Sequence, residues 1–128
     1  MGVLATPGTL SSLKFRHLVE QHAQGALLTL QPCPGLAREI EVGVLDSPAL
    51  REMVARFCAP LKSAQVDTVV LGCTHYPVLK KHARQIVGTA VPVISQDEII
   101  PDKLRDYLCR HPEIEAELGK NGSIEFLV

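Results

Sequence analysis

A thiol and an imidazole lie two residues apart in the segment Gly72-Cys73-Thr74-His75-Tyr76-Pro77. A free thiol has a pKa of about 8.5 and is mostly protonated at neutral pH, so a neighbouring imidazole or helix N-terminus is needed to raise its thiolate fraction. Cys73 beside His75 could therefore act as a base or a nucleophile. The alternative is a buried structural cysteine beside a surface histidine, and the spacing alone favours neither.

A second segment with chemical potential is the hydroxyl-rich loop that runs from Thr6 through Thr9 to Ser12. Its hydroxyls and its free backbone N–H groups at the start of a helix could bind a carboxylate or a phosphate. When this loop is taken alone, the favoured interpretation is simpler: Thr6 is an N-cap and Pro7 is the first helical residue.

Metal binding is an alternative because the chain contains two Cys-x-His pairs and further donors. The candidate donors are Cys73, His75, Cys109, His111, Cys33 and His82. Structural zinc ligands are typically spaced by two to four residues within one knuckle, which C-x-H does not match. The sequence therefore predicts no metal site, and it predicts ordinary thiols for Cys33, Cys58 and Cys109.

Apolar runs and turn signals alternate along the chain in the order strand, helix, strand, helix. The predicted strands are Gly2 to Ala5, Ala26 to Leu30, Asp67 to Gly72 and Val91 to Ile94, with Ser123 to Val128 as a candidate fifth. The predicted helices are about Leu10 to His22, Leu36 to Glu41, a helix from Pro48 that Pro60 ends or kinks, about Val78 to Val87, about Glu98 to Arg110, and Pro112 to Leu118.

This pattern predicts an α/β fold with three layers, in which a mostly parallel sheet of about four strands is flanked by helices. The strand Asp67 to Gly72 is almost wholly apolar and β-branched, which is typical of a central strand. In such sheets ligands bind beyond the carboxyl ends of the strands. Two segments are predicted at that edge: residues 72–77, here called the thiol loop, and residues 6–12, here called the threonine loop.

The composition limits the class of protein and its partners. The 128 residues are expected to form a single domain, residues 1–128, and the formal net charge of −1 gives no field for nucleic acid or anionic lipid. No apolar stretch approaches the roughly 20 residues that cross a bilayer, and no basic segment precedes the first apolar run. Four widely spaced cysteines favour reduced thiols and a cytoplasmic location.

Four segments of the chain resemble bacterial glutamate racemases, members of the Asp/Glu racemase superfamily. The most specific is Gly72-Cys73-Thr74-His75-Tyr76-Pro77, which resembles the second cysteine motif of that family. Gly2 to Ser12 resembles the threonine loop that opens the family's second domain. Cys33-Pro34-Gly35-Leu36, with Glu41 and Gly43 downstream, resembles the family's Cys-Pro segment. Gly122 to Leu127 resembles the usual C-terminal ending of family members. Ser95-Gln96 departs from the family, which more often has an acidic residue after that strand.

The resemblance implies a role for each matched residue. Cys73 would be an acid/base on one face of the substrate, with His75 orienting and tuning its thiol and Glu41 supporting His75. Thr6, Thr9 and Thr74 would bind the carboxylates and the amino group of glutamate. The family uses two thiols and needs neither a cofactor nor a metal, and its product, D-glutamate, serves peptidoglycan synthesis.

The resemblance also implies that this chain is one half of an enzyme. The Cys-Asn-Thr motif of the family's first domain is absent, so the chain resembles the second domain alone and is expected to be inactive without the first. The expected partners are glutamate, the missing domain and a second copy of this chain. The alternatives are an inactive amino-acid-binding or structural domain and, less favoured, a zinc module.

Overall fold

Four parallel strands form one sheet, which is ordered β2-β1-β3-β4. The computed structural model describes residues 1–125. The strands are β1 (Gly2–Ala5), β2 (Thr29–Pro32), β3 (Val69–Leu71) and β4 (Val93–Ile94). Gly2 pairs with Thr29 on one side and with Val69 on the other, and Val69 pairs with Val93. The prediction of a parallel sheet of about four strands is therefore confirmed.

Helices lie on both faces of this sheet, which confirms the predicted layers. The helices are α1 (Pro7–Ser11), α2 (Leu13–His22), α3 (Leu36–Glu41), α4 (Pro48–Ser63), α5 (Lys80–Val87), α6 (Gln96–Arg110) and α7 (Pro112–Glu117), with a 3-10 helix at Tyr76–Leu79. α4 and α5 cover one face and contact each other. α2 covers the opposite face, where a cavity of about 370 Å³ lies between its side chains and those of β1 and β3.

The main core lies under α4. Ser47 caps this helix by accepting a hydrogen bond from the backbone N–H of Leu50, and Pro48 is its first residue. The helical spacing of the apolar residues in this segment predicts one buried stripe, and all of its members are buried: Leu50, Val54, Phe57, Cys58 and Leu61. Of the two effects expected of Pro60, an end or a kink, the first is wrong, because the helix continues to Ser63.

The prediction of one helix from Leu10 to His22 is also wrong. The structure has two helices, because Ser12 is extended and serves as the C-cap of α1 and the N-cap of α2, accepting from the backbone N–H of Phe15. The spacing of Leu10, Leu13 and Leu18 predicts an inner face for that single helix, but Leu13 is 66% exposed, and Leu18, which lines the cavity beside the sheet, is 56% exposed. Because the helix breaks at Ser12, α2 starts a new helical period there. A single period that runs from Leu10 therefore does not predict which side chains of α2 face the sheet.

The remaining differences are shifts at the ends of elements. β2 begins three residues later than predicted and includes Pro32. β2 is an edge strand, and an edge strand tolerates proline, which has no backbone N–H, because no strand pairs with it on its open side. The first turn after the thiol loop is the 3-10 helix, with α5 following it. Residues 123–125 are not in a strand, and the rest of the candidate fifth strand lies outside the described residues.

The chain divides into two compact units, Met1–Asp97 and Glu98–Val128. The first unit contains the sheet and its core. In the second, the described residues form most of α6 and all of α7, and neither helix has a buried residue. A groove of about 540 Å³ between these two helices is lined mainly by Pro101, Leu104, Leu108 and Pro112. Within residues 1–125, no helix combines the length and the apolar character that crossing a membrane requires.

Candidate functional site

The four parallel strands end at one edge of the sheet, where polar side chains follow each of them. Thr6 follows β1, Cys33 follows β2, Gly72 and Cys73 follow β3, and Ser95 follows β4. Gly72 allows the strands to approach closely at this edge: its N–H donates to the carbonyl of Leu4 at 2.7 Å, and a Cβ at this position would lie 3.2 Å from that same oxygen. A larger residue would push the thiol loop away from β1.

The thiol, the imidazole and a carboxylate form one linear arrangement. Cys73 Sγ lies 3.7 Å from His75 Nδ1, and His75 Nε2 lies 3.0 Å from Glu41 Oε1. An ionised carboxylate only accepts, so Nε2 carries the ring hydrogen and donates to Glu41, and Nδ1 is left to accept from the thiol. The sulfur is half-buried. The geometry therefore lets His75 take a proton from Cys73 while Glu41 stabilises the resulting positive charge.

Thr6 and Thr9 form a second polar group at the same edge. Their hydroxyl oxygens lie 2.9 Å apart, and the backbone N–H of Thr9 donates to Thr6 Oγ1 at 3.2 Å. Thr6 is thus the N-cap of α1, which is the simpler interpretation of the threonine loop. Thr9 and Gly72 line the same cavity beside α2. Thr74, the third predicted binding residue, is exposed.

Tyr76 anchors the thiol loop from below. Its ring is fully buried in the main core, and its hydroxyl donates to the carbonyl of Cys33 at 3.5 Å. Burial raises the pKa of the Tyr76 hydroxyl, and the neighbouring Cys33 and Cys73 thiols raise it further. The phenol therefore remains a neutral donor, and it links the loop after β3 to the loop after β2.

Ser95, directly after β4, is a buried polar residue. Its side chain is 2% exposed, and among the described residues its hydroxyl has no hydrogen-bond partner. α6 begins at the next residue, Gln96. Cys33, predicted as an ordinary packed thiol, is likewise buried.

Alkylation is expected to separate the four thiols into two classes. Iodoacetamide at about pH 8 should modify Cys73 and Cys109 and spare Cys33 and Cys58 in the folded chain. Burial raises the pKa of Cys33 to about 12, with a further contribution from the nearby Cys58, and burial alone raises the pKa of Cys58 to about 11. Both buried thiols thus stay protonated below those values and out of reach.

Timed alkylation followed by peptide mass spectrometry would measure the four rates. All four cysteines should react in concentrated urea, which is the control for detection. Modification of Cys33 in the folded chain at the rate of the exposed Cys109 would contradict the buried placement.

A second histidine–carboxylate pair lies beside the first, and the sequence predicted no role for it. His82 Nε2 lies 3.0 Å from Asp46 Oδ1, and Arg51 Nε donates to the same oxygen at 3.1 Å. The hydrogen bonds from Arg51 and then His82 hold the pKa of Asp46 below its usual range. The sequence signal that could have pointed to this pair is spacing: His82 follows His75 by seven residues, and Asp46 follows Glu41 by five.

The candidate metal donors do not converge. Across residues 1–125, no three His, Cys, Asp or Glu side chains are grouped so as to hold a metal ion. Instead, His75 and His82 contact separate carboxylates, and His111 contacts Glu113 at 2.9 Å.

Comparison with known proteins places these features in a family. The profile of the family described as Asp/Glu/hydantoin racemase matches residues 1–99. A glutamate racemase of Pseudomonas syringae pv. tomato is 42% identical over 110 residues, which are 86% of this chain and 40% of that protein. A glutamate racemase of Pseudomonas putida (strain GB-1) is 39% identical over 133 residues, covering 99% of this chain and 50% of its own length.

Comparison of the fold with solved structures also finds glutamate racemases. The crystal structure of a glutamate racemase isoform from Bacillus anthracis superposes with a TM-score of 0.76 and 29% identity, over 86% of this chain and 41% of that one. The chain therefore spans between 40% and 50% of the length of these two curated relatives.

Proposed function

Since this chain belongs to the Asp/Glu/hydantoin racemase family, we propose that it supplies one half of the active site of a glutamate racemase, with Cys73 as an acid/base. The observation that carries the proposal is the line of contacts from Cys73 through His75 to Glu41 at the ligand-binding edge of a parallel sheet. The names of the relatives favour glutamate as the substrate.

Racemisation by direct proton transfer needs one group on each face of the α-carbon. In the proposed reaction, the Cys73 thiolate removes the α-proton of L-glutamate as the C–H electron pair passes to the α-carbon, and a second thiol delivers its proton to the opposite face. The product is D-glutamate, Cys73 ends as the thiol, and the other sulfur ends as the thiolate. No electron is gained or lost, so this scheme needs no oxidant or reductant.

His75 sets the protonation of Cys73 in this scheme. Its Nδ1 accepts the thiol proton, and the charge that develops on the ring is stabilised by Glu41 through Nε2. Thr6, Thr9 and the exposed Thr74 are proposed to bind the carboxylates and the amino group of glutamate, because hydroxyls and backbone N–H groups are suitable donors for carboxylates.

The half of the relatives' length that this chain does not span is proposed to supply the second thiol and to close the site. In this chain alone Cys73 is only half-buried and Thr74 is exposed, so water would screen the charges on which the chemistry depends. Exposed apolar side chains on α2, among them Leu13 and Leu18, are consistent with a partner surface, for either the missing half or a second copy of this chain. A cytoplasmic enzyme supplying D-glutamate for peptidoglycan is the proposed setting.

Circular dichroism of L-glutamate solutions tests this proposal directly. We expect no racemisation by the chain alone, and racemisation once it is joined to the half of the Pseudomonas syringae relative that it lacks. Robust turnover by the isolated chain that is lost in Cys73→Ser would overturn the half-site model.

Titration of the labelled chain with glutamate, followed by NMR, separates a competent half from an inactive relic. Shifts confined to Thr6, Thr9 and the loop of Cys73 support a retained substrate site. A completed protein that neither racemises nor shows such shifts would favour a purely structural role and would refute the proposal.

A further inference from the structure

The contact between His82 and Asp46 joins the same two segments of the chain as the contact between His75 and Glu41. In both pairs the ring Nε2 lies 3.0 Å from a carboxylate oxygen. One segment runs from the thiol loop into α5 and carries both histidines, and the other runs from the end of α3 to the start of α4 and carries both carboxylates. The two contacts therefore lie on one boundary between these segments.

The segment after Glu41 is poorly held by packing. Glu41 is the last residue of α3, and the apolar side chains that follow it point to solvent, with Val42 65% and Val44 59% exposed. Gly43 has a φ of +85°, which turns the chain sharply at this point. The position of this loop is therefore set mainly by polar contacts, among which those of Asp46 reach the farthest along the chain.

Asp46 is held from two helices. Arg51 of α4 and His82 of α5 both donate to its Oδ1, at 3.1 and 3.0 Å. The two helices pack on each other over the main core, so they form a rigid support. Asp46 thereby fixes the loop against the most firmly packed part of the first unit.

His82 is placed for this one contact. Its side chain is only 20% exposed, its Nδ1 is buried, and among residues 1–125 that atom has no hydrogen-bond partner. Since Asp46 only accepts, Nε2 carries the hydrogen and the unpartnered Nδ1 is the lone-pair atom. Burying an unpaired polar atom has a cost, so the ring is not simply a solvated surface group.

We propose that His82 is a positioning residue for the candidate site: by holding Asp46, it fixes the loop after α3 and so keeps Glu41 on His75. The inference rests on the proposed function in one respect, the role of Glu41 and His75 in activating the Cys73 thiol. His82 itself touches neither the thiol nor its imidazole partner, and its effect passes through Glu41.

The alkylation rate of Cys73, divided by that of Cys109 in the same molecule, tests this inference without any racemase activity. Glu41→Gln is expected to lower the ratio roughly twofold to fivefold, which is the usual size for an exposed charge pair. His82→Leu should reproduce most of that loss. His82→Gln should restore the ratio, because its amide N–H can replace Nε2 as the donor to Asp46.

A double variant separates positioning from general loosening. Glu41→Gln combined with His82→Leu should have the same ratio as Glu41→Gln alone, because His82 acts only through Glu41. Asp46→Asn, on the exposed loop, should lower the ratio in the same direction and does not depend on the packing of α5. His22→Leu, at an exposed position of α2, is the matched control and should leave the ratio unchanged.

Results that differ from those expected overturn the inference, and each such result does so in a distinguishable way. An unchanged ratio in both His82→Leu and Asp46→Asn, with Glu41→Gln lowered, removes the positioning role and leaves the proposed site intact. An unchanged ratio in Glu41→Gln would also refute the part of the proposed function in which Glu41, through His75, activates the Cys73 thiol. A further fall in the double variant, or no recovery in His82→Gln, would assign the effect to packing. Alkylation of the buried Cys58 would reveal an unfolded His82→Leu, in which case Asp46→Asn decides.

Discussion

Replacing Cys73 with alanine should lower the turnover of the completed racemase by about 10²–10⁴-fold, the usual contribution of a positioned acid or base. Alanine leaves nothing to remove the α-proton from one face of the substrate, and the thiol of the other half cannot reach that face. The Michaelis constant should change little, because in the proposed site the hydroxyls and backbone N–H groups bind the substrate. Steady-state racemisation measured from both enantiomers would determine these values.

The control for this variant is Cys109→Ala, which removes an exposed thiol outside the sheet and should leave turnover unchanged. Cys73→Ser should be nearly as inactive as Cys73→Ala, since a hydroxyl ionises far less readily than a thiol. A loss smaller than about tenfold in a folded Cys73→Ala protein is incompatible with the proposed acid/base role.

Replacing Tyr76 with alanine should lower the free energy of unfolding by about 3–5 kcal/mol, the range for removing a buried aromatic side chain. The ring is fully enclosed by the core beneath the thiol loop, so its loss leaves a cavity there. A domain of this size is typically stable by about 5–15 kcal/mol, so the variant should retain only part of its stability. Equilibrium unfolding in urea, followed by circular dichroism, would measure the change.

Tyr76→Phe is the matched variant, because it keeps the ring and removes only the hydroxyl. The contact of that hydroxyl with the carbonyl of Cys33 is long, at 3.5 Å, so the cost should be no more than about 1 kcal/mol. Equal losses in the two variants would show that the hydrogen bond, and not the packed ring, holds the thiol loop.

The sequence predicts the sheet and α4 well because each of these has a strong local signal. β1 is found as predicted, and β3 lies inside the predicted apolar run. Ser47 and Pro48 mark the start of α4 by cap chemistry, and its buried stripe has the helical period. These features depend on neighbours in the sequence, so a single chain suffices to find them.

The misses arise where tertiary contacts override local preference. Leu13 has the apolar character of a core residue but is 66% exposed after the break at Ser12, and Leu18 is 56% exposed although it lines the cavity beside the sheet. Pro60 is a helix breaker in isolation, but α4 continues past it over a packed core.

The candidate site could be predicted in part. The spacing of Cys73 and His75 left their link as one of two open alternatives, and the link to Glu41 crosses 34 residues and was expected only by resemblance. Nothing local couples His82 to Asp46, which are 36 residues apart, so only the structure brings them together. Contacts of this kind depend on how α3 and α5 each pack against α4, which no periodicity in the sequence specifies.

The placement of β1 at the interior of the sheet has a consequence for the order in which this chain folds. Both of its neighbours come later in the sequence, and β3 begins only at Val69. Until ribosomal synthesis has passed that residue, one side of β1 has unpaired N–H and C=O groups and its apolar side chains lack their cover. The edge that carries the thiol therefore cannot form until β3 has been synthesised, and in the interval the open side of β1 is exposed to aggregation unless a chaperone covers it.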